Sequence, residues 1–233
     1  MRSRTSWDAS ARTSRTNAEG ISLADTLPIR VEVPVCAFRP YASREYQDTY
    51  PVPPPATVYG MFLSLLGIPR EDKARHRGTE MALAVSDVPQ RSQRSRVFRK
   101  LRRGSDLEDT RPDYQDLLLD LTLWVWLRRG ADQVDPPLCD GVDAALRDPR
   151  TIKSRFGGLS LGESSYLVDV ICKDPNPPDR MIFLTPDERG FYSLPLWVDH
   201  RQRSATVLQR FHLSEPIPIA GGLQSAWVRI GGP

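Results

Sequence analysis

Cysteine is scarce in this chain: Cys36, Cys139 and Cys172 stand far apart, with no CxxC pair among them. That spacing excludes the usual zinc-site signatures and a disulfide framework, and it makes a reducing cytoplasm the default setting. Histidine is as scarce, and His76, His200 and His212 are scattered. A His-rich metal cluster is therefore not expected. Gly-Lys-Ser/Thr occurs nowhere, so there is no phosphate-loop lysine and nucleotide hydrolysis is not suggested. The expectation is a chain that by itself binds neither metal nor cofactor. No apolar run approaches the roughly 20 residues a membrane helix needs. No apolar stretch follows Met1, which argues against secretion.

What is present fits a packed protein. The chain has 233 residues, of which 39% are hydrophobic. That is enough for one or two domains with a sizeable core. The net charge of +3 is modest, but its distribution is uneven. Arg91, Arg94, Arg96, Arg99, Lys100, Arg102 and Arg103 fall in one short stretch. Such a cluster can neutralise phosphates and release their counterions. A lone basic run is more often a solvated face, so its context has to decide.

Residues 1–20 are rich in Ser, Thr and Arg and poor in apolar side chains. They cannot bury enough surface to offset chain entropy, and a disordered extension is expected. An organelle transit peptide has a similar composition, but a flexible extension is the simpler reading. Ile29, Val31, Val33 and Val35 then alternate with polar neighbours, as on a half-buried strand. Pro34 lacks an N–H, which suggests an edge or a bulge there. After a polar aromatic loop, the prolines between Tyr50 and Pro55 form a stiff lead-in. Val58, Met61, Phe62, Leu65 and Leu66 make one helical face, and Gly67 is a plausible cap with Pro69 beyond.

Met81, Leu83 and Val85 predict a second strand. Leu117, Leu119, Leu121, Leu123, Val125 and Leu127 predict a third, with Trp124 and Trp126 on its opposite face. The charged excursion between them reads as a projecting β-hairpin. Tryptophans on a strand are more often core than base platforms, so both sheet faces should be covered, by the C-terminal region or by a partner. Pro136-Pro137 opens a shorter helix with Leu138, Val142, Ala145 and Leu146 inward. Tyr166, Val168 and Val170 predict a fourth strand. The order β-α-β-β-α-β defines an α+β, ferredoxin-like fold, the arrangement of RNA-recognition modules. As a superfold it licenses no function alone. The expected organisation is this domain over 21–174, with its thumb hairpin at about 89–114. A small β-rich C-terminal region over 175–233 would pack on it, with Gly221-Gly222 as a turn or bulge signal.

Two segments carry a resemblance. One is Thr49-Tyr50-Pro51-Val52-Pro53-Pro54-Pro55-Ala56-Thr57-Val58-Tyr59-Gly60, which runs into a helix. The other is Phe156-Gly157-Gly158-Leu159-Ser160-Leu161-Gly162-Glu163-Ser164-Ser165-Tyr166-Leu167-Val168. In this order, with a basic hairpin between them, they resemble the CRISPR-associated Cas-five family, and especially its DevS-like (MYXAN) branch. These are RAMP superfamily subunits of type I Cascade complexes. The resemblance runs from about Ile29 to Cys172. It implies a non-catalytic subunit that binds the 5′ handle of the CRISPR guide RNA in antiviral defence. The implied partners are that RNA, the Cascade backbone and large subunits, and target DNA through the assembled complex.

The same resemblance implies that Arg91 to Arg103 form the thumb that presses on the RNA at the handle–spacer junction. Guanidinium groups suit that role, because they pair with phosphate and stack on bases. Arg39, Tyr41, Arg44 and Tyr46 follow the first strand and can meet unstacked handle bases; an ordinary polar loop explains them as well. Gly157, Gly158 and Gly162 admit close backbone approach, and Ser160 and Ser164 offer hydroxyls to phosphate. Taken without context, a tight turn accounts for that segment. One branch of the family cleaves repeat RNA, with a local Tyr/Lys/His set around a 2′-hydroxyl. No Lys-His pair follows the basic hairpin here. Tyr46 and Lys153 are the remaining candidates, and nothing in the sequence brings them together. The alternatives left standing are a metal-independent endoribonuclease and a structural module without RNA binding.

Overall fold

The computed structural model describes residues 26–40, 46–99, 110–152, 157–199 and 202–231. The expected extension over 1–20 lies outside the described residues. Among them, eleven strands join one sheet. Strand β1 (Leu27–Cys36) is central, paired antiparallel to β5 (Thr110–Arg128) on one side and β6 (Val170–Lys173) on the other. Ile29, Val31 and Val33 are buried, while Arg30 turns outward to Asp174 at 3.0 Å. β3 (Glu80–Val85) pairs with the far edge of β5. The spatial order β6-β1-β5-β3 thus interleaves strands that the chain visits as β1, β3, β5 and β6.

The two crossovers are helices. α1 (Pro55–Leu65) begins on two prolines, whose fixed φ suits a first turn. Gly67, at φ 69°, closes it, and Ile68 N–H reaches the Leu63 carbonyl at 2.9 Å. That is the glycine-capped ending the sequence predicts. α2 (Leu138–Arg147) buries Leu138, Val142 and Ala145. Both helices join one core with Ile29, Val31, Leu121, Leu123 and Val125. They approach closely because Gly141 has no Cβ: one there would meet Leu66 at 3.1 Å.

The sheet's other face carries a second core of Ala82, Ala84, Trp124, Trp126, Met181 and Phe183. It is covered by the C-terminal region, which is not confined to strands. Gly221 and Gly222, which read as turn signals, lie inside α3 (Ile219–Ser225). A Cβ on Gly222 would sit 2.1 Å from the Phe183 ring, so glycine is what lets this short helix press on the sheet. Leu223 and Ala226 close the face over the tryptophans. The remaining strands extend the same sheet. β7 (Arg180–Pro186) pairs with β3, and β9 (Val207–Leu213) and β8 (Tyr192–Trp197) follow outward. β10 (Ile217–Pro218) adds to β7 and β11 (Val228–Arg229) to β3.

The strand alternation is corrected at two places. Leu119 is only half-buried while Leu118 is buried, so the inward row of β5 changes phase between Leu118 and Leu121. The fourth strand begins at Val170 rather than Tyr166. Tyr166 and Leu167 belong instead to a compact loop, tied by a Ser160–Leu167 bridge and by Val168 N–H to the Leu159 carbonyl at 2.8 Å.

Candidate nucleic-acid interface

The basic stretch forms β4 (Gln90–Arg99), paired over its length with Thr110–Leu119 of β5. The two strands run past the core because their side chains are charged or polar and gain little from burial. Against the opposite edge of β5 lies β2 (Tyr46–Gln47), parallel, with Tyr46 beside Tyr114 and Gln47 beside Gln115. Residues 113–116 of β5 are therefore flanked by strands on both edges.

Cross-strand pairing sorts the side chains onto two faces. On one, Arg96 donates to Asp113 Oδ2 at 2.8 Å and to Gln47 Oε1 at 3.1 Å. Arg94 beside it donates to Gln115 Oε1 at 2.6 Å. On the other face, the Tyr46 hydroxyl donates to Asp116 Oδ1 at 2.7 Å and accepts from Gln93 Nε2 at 2.9 Å. Arg91 reaches the Thr49 carbonyl at 2.7 Å and Asp48 Oδ1 at 3.1 Å, with Asp116 Oδ2 3.8 Å away. The bond to Asp116 holds the Tyr46 phenol above its ordinary pKa. Asp113 and Asp116 are both buried between these partners. Arg91 and Arg96 are thus set in place by carboxylates and Arg94 by an amide, while Tyr46, Tyr114 and Val97 leave an exposed apolar strip on the Tyr46 face.

The glycine-rich segment adjoins the first face. Gln115 Nε2 donates to Glu163 Oε1 at 2.8 Å, so one amide links Arg94 to that loop. Leu159, Leu161 and Tyr166 anchor the loop in the core. Gly162 has a structural duty: at φ 91°, a Cβ there would lie 2.5 Å from the Ala37 carbonyl oxygen. Gly157, at φ 76°, faces open space, and Gly158 and Ser164 are exposed. Beyond Gly162 the loop turns into an open groove of about 600 Å³. Its walls are the outer face of α1 at Thr57, Gly60 and Ser64, the loop at Ser160 and Gly162, and Lys73, Arg70 and Trp197 opposite. The two segments that carry the sequence resemblance therefore line one cavity.

Of the residues singled out by sequence, Tyr46, Arg91, Arg94, Arg96, Gly157, Gly158, Ser160, Gly162 and Ser164 lie along this continuous surface. Arg39 is exposed just past β1. Tyr41, Arg44, Lys100, Arg102 and Arg103 lie outside the described residues, as do the Arg99 side chain, Lys153 and His200. His76 is buried and bound to Asp132 Oδ2 at 2.8 Å, and the same carboxylate accepts from Leu138 N–H at the start of α2. Sequence reasoning missed Gln47, Gln93, Gln115, Tyr114, Lys73 and Trp197. The amides carry no charge signal, and Lys73 and Trp197 meet only through tertiary structure.

A broad, mostly antiparallel sheet with few helices is a fold found among CRISPR-associated proteins. A chain of a "CRISPR RNA-guided surveillance complex" matches it with a TM-score of 0.58 at 16% identity, over 84% of this chain and 92% of that one. A chain described as "Crystal structure of Cas protein" matches at 0.50 and 18% identity, over 89% of this chain and all of that one. In sequence, the family model described as CRISPR-associated protein (Cas_Cas5) covers residues 26–214. A "CRISPR-associated protein Cas5" of Myxococcus xanthus (strain DK1622) is 37% identical over 183 residues, 75% of this chain and 83% of that protein. The chain belongs to the Cas5 family of CRISPR-associated proteins.

Proposed function

We propose that this chain is a non-catalytic subunit of a type I Cascade that binds the 5′ handle of the CRISPR guide RNA and caps the complex in antiviral defence. The observation that carries the reading is convergence: hairpin, β2 and glycine-rich loop all meet around residues 113–116 of β5. Their shared support is β1-α1-β3-β5-α2-β6, which we assign as a ferredoxin-like βαββαβ core of the RAMP type. The hairpin is the thumb, its arginines meeting phosphates while Tyr46 and Tyr114 offer ring faces to unstacked bases. Carboxylates that hold Arg91 and Arg96 in position reduce the entropy lost when a phosphate arrives. The other partners in this reading are the Cascade backbone and large subunits, with target DNA reached through the assembled complex in the cytoplasm.

The test is binding of the purified chain to its own repeat-derived handle RNA across a salt series. Arg91→Ala with Arg94→Ala should weaken binding and flatten the slope of log affinity against log salt by up to ~0.7 per lost phosphate contact. Unchanged affinity and slope in a folded variant would reduce the basic stretch to a solvated face. A second reading rests on Tyr46, an exposed phenol at the hairpin base. Cleavage of repeat RNA in EDTA, abolished by Tyr46→Phe, would make the chain a metal-independent endoribonuclease instead.

A further inference from the structure

Gly60 stands mid-helix in α1 and is exposed, and a Cβ built on it meets nothing within 4 Å. A glycine there costs roughly 0.5–1 kcal/mol of helix stability relative to alanine. Gly141 of α2 has a reason in the packing of Leu66 against it; Gly60 has none among the described residues. Ala56 and Ser64, one helical turn to either side, are also small and line the same groove. On this side the helix presents a shallow surface to the groove.

The opposite wall supplies charge. Lys73 is half-buried, its ammonium bound to the Val198 carbonyl oxygen and held 4.7 Å from the centre of the Trp197 ring. Arg70 lines the groove beside it, and no carboxylate does among the described residues. This differs from the hairpin, where Arg91 and Arg96 already face carboxylates. A fixed ammonium without an acidic neighbour in the cavity wall calls for an anion. The hydroxyls of Ser64 and Ser160 add donors, and about 600 Å³ is within the usual range for a small-ligand pocket. An anion joined to a flat, partly apolar body fits both walls.

We infer that this groove is a pocket for one nucleotide of the bound RNA, its base lying on α1 at Gly60 and its phosphate on the Lys73 ammonium. The inference rests on the RNA-binding reading above and adds a site that the thumb does not include. Because the groove joins the hairpin base through Gly162, Glu163 and Gln115, one strand can occupy both.

The experiment is an abasic scan of the handle RNA against the full chain and two variants, Gly60→Leu and Lys73→Met. With the parent, one abasic position should weaken binding about tenfold. Gly60→Leu should weaken intact RNA by a similar factor, lose sensitivity to that one position, and melt no lower than the parent. Lys73→Met should flatten the salt slope by ~0.7, one phosphate on single-stranded RNA. Adenosine and uridine 5′-monophosphates titrated alone separate the two sources of the same chemistry. Parent binding with no Gly60-dependent position overturns the pocket and leaves the thumb reading standing. Gly60-sensitive binding of a monophosphate, without any such position in the RNA, makes it a free-nucleotide site and also overturns the inference. Failure of the parent to bind RNA sinks both readings together.

Discussion

Pro34 of β1 and Asp120 of β5 fall at the same place in the register, between the pairs Val33–Leu121 and Val35–Leu119, and Asp120 holds a φ of 55°. The neighbouring pairs Val33–Leu121 and Cys36–Leu118 are both buried, although three positions separate them along each strand. Plain alternation would bring only one of those pairs inward. Both strands therefore turn over together at Pro34 and Asp120, and the pairing of β4 with β5 begins just beyond, at Gln90–Leu119. Pro34 costs no ladder bond there. Pro28 and Glu32 turn their carbonyls toward the β6 side, accepting from Asp174 and Asp169. Pro34 has the same phase, and it lies past the end of β6.

Left-handed φ is open to glycine and tolerable for Asn or Asp, but it is strained for β-branched residues. Asp120→Gly should change unfolding free energy by less than about 1 kcal/mol, whereas Asp120→Val should cost roughly 1–3 kcal/mol. Urea denaturation of both variants measures it. An Asp120→Val protein as stable as Asp120→Gly would show that the kink is not held by this residue.

The kink also marks where the sequence stops being legible. The strands through Ile29, Met81 and Leu123 and the helices at Val58 and Val142 follow from period, because each sends a regularly spaced apolar row into the main core. A single positive-φ aspartate shifts that period with no glycine or proline adjoining it on its own strand to announce it. The helix at Ile219–Ser225 was hidden for a related reason: Gly222 of its glycine pair serves contact with Phe183, a neighbour far away in sequence. At the candidate interface, charge marked the arginines. Their carboxylate and amide partners on β5 could be found only once the register was known.

Gly221 and Gly222 offer a second prediction, since adjacent glycines in one helix face different surroundings. Gly222→Ala forces a methyl into the Phe183 ring and should cost about 1–3 kcal/mol by overpacking. Gly221→Ala enters open space and should leave stability unchanged or raise it by up to ~1 kcal/mol. Thermal melts of the two variants should move in these different directions. Equal losses would mean that α3 does not press on the sheet as described.

Cys36 gives a pH dependence. Burial pushes its thiol up from 9.0 to about 12. The folded chain keeps a proton that the unfolded chain releases, so this contribution is intact below about pH 9 and is lost progressively toward pH 12. The slope from one such group is at most about 1.4 kcal/mol per pH unit. Cys36→Ala carries a packing loss at every pH but lacks this slope. The stability gap between parent and variant should therefore narrow as pH rises from 8 to 10.5, by roughly the one-group slope. A gap that stays constant in urea titrations would mean the thiol ionises freely in the fold.

Arg96 has a duty in the fold that does not depend on any ligand. Asp113 is buried, and its partners are Arg96 at 2.8 Å and the Gln47 amide at 3.0 Å. Removing Arg96 leaves a buried carboxylate with one neutral donor, a loss of roughly 1–3 kcal/mol. Arg96→Ala should therefore lower stability even without RNA, unlike Arg94→Ala, whose partner Gln115 retains its bond to Glu163. Asp113→Asn placed in the Arg96→Ala background removes the stranded charge and should restore part of the loss. The double-mutant cycle should give a coupling of about 1 kcal/mol or more. Coupling below about 0.3 kcal/mol would show the pair to be a surface contact. Arg96 would then contribute nothing to the fold through Asp113.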